Sequence, residues 1–188
     1  MYISTRRRQR GARHTSAREG PSFHFPMQSL FRLLKRCKYF ISSFGILKGA
    51  DVNAKQEESG QTALMAAVLR GKTNIVSYLL KAGADPMIGE GSGYHPPHGA
   101  AFQGRPEIMQ ILIDSGLDVN SFHDDGYLPL HRVCWGQEKR HADTLVVLLK
   151  HGVDPEVKSK DGKTCREMTK NKFILDVLDS WNADEKEL

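Results

Sequence analysis

Asp125-Gly-Tyr-Leu-Pro-Leu-His131 and Leu148-Leu-Lys-His-Gly-Val-Asp-Pro155 are the two halves of one phrase that runs down this chain. The opening half, a glycine turn leading into a helix start, has counterparts at Ser59-Gly-Gln-Thr-Ala-Leu-Met65, Ser92-Gly-Tyr-His-Pro-Pro-His98 and Asp161-Gly-Lys-Thr-Cys-Arg-Glu167. The closing half, a helix end followed by glycine, has counterparts at Gly49-Ala-Asp-Val-Asn53, Leu79-Leu-Lys-Ala-Gly-Ala-Asp-Pro86 and Leu112-Ile-Asp-Ser-Gly-Leu-Asp-Val-Asn120. The turn glycines Gly60, Gly93, Gly126 and Gly162 are separated by 33, 33 and 36 residues. The closing glycines Gly49, Gly83, Gly116 and Gly152 are separated by 34, 33 and 36. Two registers that keep step imply a repeated supersecondary unit, which buries its apolar face only by stacking on its neighbours.

Each unit reads as two helices. In the first, Thr62 is an N-cap whose hydroxyl can accept an orphan first-turn amide. A short helix is expected over Ala63–Arg70, ended by Gly71. A second is expected over Asn74–Lys81, with Ile75, Val76, Leu79 and Leu80 on one face, and Gly83 then supplies a left-handed stop. In the second unit Pro96-Pro97 and Pro106 open the two helices, since first-turn amides have no helical partner to lose. Its stripe is Ile108, Met109, Ile111 and Leu112. The third carries Leu145, Val146, Leu148 and Leu149, with three extra residues within Gly136–Asp143. The last, with a shorter second helix over Phe173–Trp181, reads as a C-terminal cap.

The expected organisation is a basic, disordered tail over 1–26 and a degenerate first repeat or N-terminal cap over 27–58. Units follow at 59–91, 92–124 and 125–160 (the last with the insertion), then a capping repeat at 161–182 and a tail at 183–188. In the degenerate unit Leu30, Phe31, Leu33, Leu34, Phe40, Ile41 and Phe44 alternate with Arg32, Lys35, Arg36 and Lys38, an amphipathic helical pattern. Its competing reading is a membrane-surface helix.

The charge is split. Of 27 Lys/Arg and 22 Asp/Glu, residues 1–50 hold eleven basic residues and one acid, Glu19, for +10, which leaves 16 and 21, or −5, for residues 51–188. The basic pI belongs to the leader, not to the repeats. Arg6, Arg7, Arg8, Arg10, Arg13 and Arg18 suit an organelle transit peptide, a nuclear address or a polyanion contact, and Met27 is an alternative start. Cys37, Cys134 and Cys165 show no paired framework, so free thiols in a reducing compartment are expected. No apolar stretch approaches the roughly 18 residues of a membrane span. The closing Glu-Lys-Glu-Leu is discounted as a retention signal because no entry signal precedes it.

The phrase Asp-Gly-x-Thr-Pro-Leu-His, then Ala-Ala, then Leu-Leu-x-x-Gly-Ala-Asp-Val-Asn resembles the ankyrin repeat, and the likeness covers roughly residues 45–182. It implies an all-α repeat solenoid of antiparallel helix pairs, with hairpin-like turns to one side and protein binding along the concave face. The first and last units lack both the proline and the histidine of the motif, and Gly45 stands where a core leucine is expected. The first repeat should therefore be poorly packed.

The resemblance also sorts the candidate chemistry. His98 and His131 share a repeat position where the family's imidazole bonds the backbone, so they are not read as metal ligands. His95 and His98 lack further ligands nearby. Gly89-Glu-Gly-Ser-Gly93 lacks the Lys-Ser/Thr of a phosphate loop and falls in a turn. Cys134 reads as a buried, inert thiol. Asn53 and Asn120 occupy the family's turn asparagine, where a side-chain bond holds the turn.

What the fold does not need is more informative. Leu69, Phe102 and Trp135 recur 33 apart at a site that in this family faces the groove and is free to vary. Gln61, Tyr94, Tyr127 and Lys163 share the turn tip, and Arg132 follows His131. Aromatics with arginine are the usual interface anchors. Leu69, Arg70, Tyr94, Phe102, Gln103, Tyr127, Arg132 and Trp135 are therefore the expected partner-binding residues, the competing reading being that Phe102 and Trp135 fold back onto neighbouring helices. The expected function is a non-catalytic, monomeric, intracellular protein-interaction module in cytoplasm or nucleus. It needs no cofactor, metal or small-molecule substrate. The alternative is a regulator carried to nucleic acid, anionic membrane or an organelle by its N-terminal segment, with nucleic acid or membrane contacted only through residues 1–38.

Overall fold

The computed structural model describes residues 51–90, 94–120 and 124–184, with side chains to Trp181. The expectations for the leader and for the degenerate unit around Gly45 lie outside these residues. Eight helices occur among the described residues: α1 (Ala63–Leu69), α2 (Thr73–Lys81), α3 (Pro96–Phe102), α4 (Pro106–Asp114), α5 (Pro129–Cys134), α6 (Lys139–Lys150), α7 (Cys165–Met168) and α8 (Lys172–Asp184). They form two layers: α1, α3, α5 and α7 stack in one, α2, α4, α6 and α8 in the other, and the two helices of each of the first three described units pack against each other. No strand occurs among the described residues, and the architecture is an all-α repeat solenoid.

Local chemistry sets the boundaries. Thr62 Oγ1 accepts the Met65 amide at 3.2 Å, the N-cap expected there. Glu167 reaches back to the Thr164 amide at 2.8 Å in the last unit. The turns repeat one bond pattern: Gln56 N–H to Gln61 C=O, Glu90 N–H to Tyr94 C=O and Ser159 N–H to Lys163 C=O, at 2.9, 3.1 and 2.9 Å. After each second helix Gly83, Gly116 and Gly152 take φ of 88°, 90° and 79°, the left-handed stop that a Cβ would penalise. Asn53 bridges two turns, accepting the Asp85 amide at 2.8 Å and donating to the Gly83 carbonyl at 3.3 Å.

The core lies between the layers. Ala63, Leu64, Ala67 and Val68 pack with Ala100 and Ala101, and then with Leu130, Val133 and Cys134. Small residues at one position bring the first helices close. A Cβ on Gly99 would sit 3.1 Å from Leu69 Cδ2 and 3.2 Å from Met65 Cε. The second layer contributes Val76 and Leu79, Ile108 and Leu112, then Leu145, Leu148 and Leu149, all buried. Each is worth about 1.5–3 kcal/mol when fully removed from water.

The three extra residues of the third unit lie within its second helix, and two expectations are corrected. Helices α2, α4 and α6 start at 73, 106 and 139 but end at 81, 114 and 150, so the extra residues lengthen α6 by about one turn. In the last unit the short helix is the first, four residues long, while α8 has 13. Finally, Cys134 and Cys165 are not free thiols. They form a disulfide with Cα atoms 5.5 Å apart, within the usual span, and both residues are fully buried. It ties α5 to α7, and with it the expectation of a reducing compartment loses its basis in cysteine usage.

Candidate groove of the first-helix layer

The column Leu69, Phe102 and Trp135 closes the first helix of each unit. Leu69 and Phe102 end α1 and α3, and Trp135 is the C-cap of α5. Leu69 is half-buried, whereas Phe102 is 47% and Trp135 36% exposed. Phe102 thus keeps nearly half its surface in water, with no core role to explain it. Trp135 does both things: its ring meets Tyr127 edge-on, centroids 5.1 Å apart and planes at 62°, yet more than a third of the residue remains exposed. Helical side chains lean toward the helix start, which brings the indole back along α5 to Tyr127.

Arg132 is not an exposed anchor. It is 8% exposed, and its guanidinium carbon lies 4.7 Å from the Trp135 ring centroid, 5.1 Å from Tyr94 and 5.2 Å from Tyr127. Its Nη2 also pairs with the Asp125 carboxylate. Three ring faces and one carboxylate therefore hold a cation that the sequence assigned to a partner. Its role is to fix Trp135, Tyr94 and Tyr127 as one block, since a planar guanidinium stacks on aromatic faces and is weakly hydrated.

The turn tips are tied unit to unit. Gln61 donates to Glu90 at 2.9 Å, Tyr94 faces Arg132 of the next unit, and the Tyr127 hydroxyl donates to the Asp161 carboxylate. Tyr94 also donates to the His98 carbonyl at 3.1 Å. Burial pushes the Tyr94 hydroxyl up to about 12, partly offset by Arg132. The bond to Asp161, with a smaller desolvation effect, raises Tyr127. Both rings are half-buried. Arg70 is exposed and bonds its own helix through Ala66 C=O at 3.2 Å; Gln103 is half-buried.

The histidines serve the backbone. His131 Nδ1 lies 3.0 Å from the Leu128 amide, and Nε2 3.1 Å from the Val157 carbonyl. An amide can only donate, so Nδ1 accepts and the ring proton sits on Nε2. Burial holds the His131 pKa below the usual imidazole range; the Val157 bond opposes this and Arg132 adds to it. His98 Nε2 reaches the Tyr127 carbonyl at 3.2 Å. Among the described residues no group of three His, Cys, Asp or Glu could hold a metal ion, and no helix is long and apolar enough to cross a membrane.

Several positioning residues escaped the sequence reading. His141 accepts the Glu138 amide at 3.3 Å, and its Nε2 lies 3.2 Å from the Phe102 carbonyl, so α6 is docked directly behind the exposed Phe102. Buried Asn171 donates to the carbonyls of Gly136 and Glu138 at 3.1 and 3.2 Å. His141 falls within the region of the insertion, where column comparison has no counterpart. Asp125 and Asp161 were legible only as turn residues.

The family model described as ankyrin repeats (3 copies) matches residues 32–123. No curated protein matches the chain. Repeats of this family are generally non-catalytic and serve as protein–protein interaction modules.

Proposed function

Since this chain belongs to the ankyrin repeat family, we propose that it binds a partner protein through the first-helix layer, at the column Leu69, Phe102 and Trp135. One observation carries the reading: Phe102 and Trp135, in successive units, keep 47% and 36% of their surface exposed at one repeat position. Phe102 has no core to fill and Trp135 keeps more than a third of its surface exposed although it packs on Tyr127 and Arg132; truncating such anchors typically costs about 2 kcal/mol or more of binding. Tyr94, Tyr127 and the Arg132 they enclose brace the indole, which lowers the entropic cost of ordering it on binding.

Site-specific photo-crosslinking tests it. A benzophenone side chain at position 102 or 135 of the full chain should join a bound protein; one at Phe173, 49% exposed on α8 of the other layer, should not. Equal yields from both layers would refute the groove assignment.

The +10 of residues 1–50 supports a second reading, in which the leader carries the array to nucleic acid or an anionic membrane. Affinity for either that survives deletion of residues 1–38 removes that reading, as does no measurable affinity at low salt.

A further inference from the structure

The charges of the array are segregated by end. The turn segments 51–62, 84–95, 117–128 and 153–164 hold eleven acids and four basic residues, a net −7. The helix–helix loops 70–73, 103–106, 136–140 and 169–172 hold seven basic residues and one acid, Glu138, a net +6. The near-neutral sum of the two ends hides both. At the loop end Glu138 is already paired with Arg140 at 2.7 Å. Among the described residues no ion pair engages Arg70, Lys72, Arg105, Lys139 or Lys170, and all of these but Arg105 are exposed.

The loops form one continuous edge because each unit reaches back over the one before. A Cβ on Gly71 would sit 2.7 Å from Arg105 Cζ, and one on Gly104 2.9 Å from Arg140 Cγ. Asn171 bonds the Gly136 carbonyl in the same way. This edge borders the apolar column directly, since Leu69 precedes Arg70, Phe102 ends the helix before Arg105, and Trp135 ends the one before Lys139.

We infer that the partner presents an acidic segment with large apolar side chains, lying along the loop edge with its apolar groups on Leu69, Phe102 and Trp135. This deepens the groove reading and rests on it. Packed helices sit about 8–10 Å apart, and a polyproline II segment has about three residues per turn with a rise of about 3.1 Å each, so apolar side chains at every third position share one face and would meet successive units. A bilayer or a duplex would touch the loop edge without filling the column, which favours a peptide. The chain's own leader, at +10, has the wrong charge for this edge.

The test is a fluorescence-anisotropy titration of the full chain with a synthetic twelve-residue peptide carrying leucine at every third position and glutamate between. Control probes replace the leucines by serine, replace the glutamates by lysine, or substitute oligothymidylate. Arg70→Gln/Lys72→Gln/Lys139→Gln removes three exposed charges and should weaken the acidic leucine peptide about tenfold. Neutralising the leader (Arg6→Gln/Arg7→Gln/Arg8→Gln/Arg10→Gln) should change it much less. Phe102→Ala should weaken the leucine peptide and leave the serine peptide unchanged. If the loop variant has no effect while Phe102→Ala does, the acidic-partner inference is wrong and the groove reading stands. If the loop variant weakens binding and Phe102→Ala does not, the groove reading fails. Dependence on the leader alone, or tighter binding of the lysine peptide or of oligothymidylate at the loop edge, overturns the inference.

Discussion

Reducing the Cys134–Cys165 disulfide should cost this array a large part of its stability. The two cysteines are 31 residues apart. Closing a loop of that size removes about 12 cal/mol/K of chain entropy from the unfolded state, or about 3.7 kcal/mol at room temperature. Little native-state compensation is expected, because Cys134 Sγ lies 3.0 Å from the Leu130 carbonyl, where the reduced thiol can donate a weak bond. The loss should fall mainly on the cap, because stability in a stacked array is carried by neighbour contacts and α7 is only four residues long. Urea titrations of the full chain with and without reductant should differ by more than about 1 M in midpoint. A Cys37→Ser variant should behave as wild type, and Cys134→Ala/Cys165→Ala should be insensitive to reductant. Alkylation of denatured, unreduced protein should add one label, at Cys37. Three labels, or midpoints that coincide, would refute the reasoning.

Three other perturbations follow from named contacts. Arg132→Met should destabilise by about 2 kcal/mol in the same titrations, since it removes a charge pair to a partly exposed Asp125 and the contacts to three rings; it should also alter the Trp135 emission in a Trp181→Phe background. Gly136→Ala should cost about 1–3 kcal/mol by overpacking, because its Cβ would lie 2.0 Å from His141 Cδ2; adding His141→Ala should recover part of that loss rather than add to it. His131 titrates below its ordinary value in the folded chain, so its contribution is full above about pH 6.5 and is lost as pH falls toward the folded pKa, where the unfolded state takes the proton first. Urea midpoints should drop between pH 7 and pH 5, and less so in His131→Gln.

Periodicity made the architecture legible, and it worked because the determinants are local. Glycine stops, proline starts and the Thr62 cap act within a few residues, so Gly83, Pro106 and Thr62 could be placed from sequence. Column comparison also isolated Phe102 and Trp135, whose exposure follows from a repeat position with no core to fill. What failed depends on contacts that the repeat columns do not record. The Cys134–Cys165 pair joins different columns, so the repeat gave it no signature. Arg132 looked like a surface anchor because its neighbours Tyr94 and Trp135 come from another unit and another turn of helix. The insertion read as a slip in the beat, but a helix absorbs three residues as nearly a full turn and keeps its stripe.

The central claim is that the exposed first-helix column binds the partner. The most direct measurement compares one crosslinked and identified partner against wild type, Phe102→Ala/Trp135→Ala and Phe173→Ala, each checked for unchanged helicity. The account predicts a loss of at least about 30-fold in affinity, or 2 kcal/mol, for the double variant, and none for Phe173→Ala. Equal affinity of wild type and the double variant would contradict it.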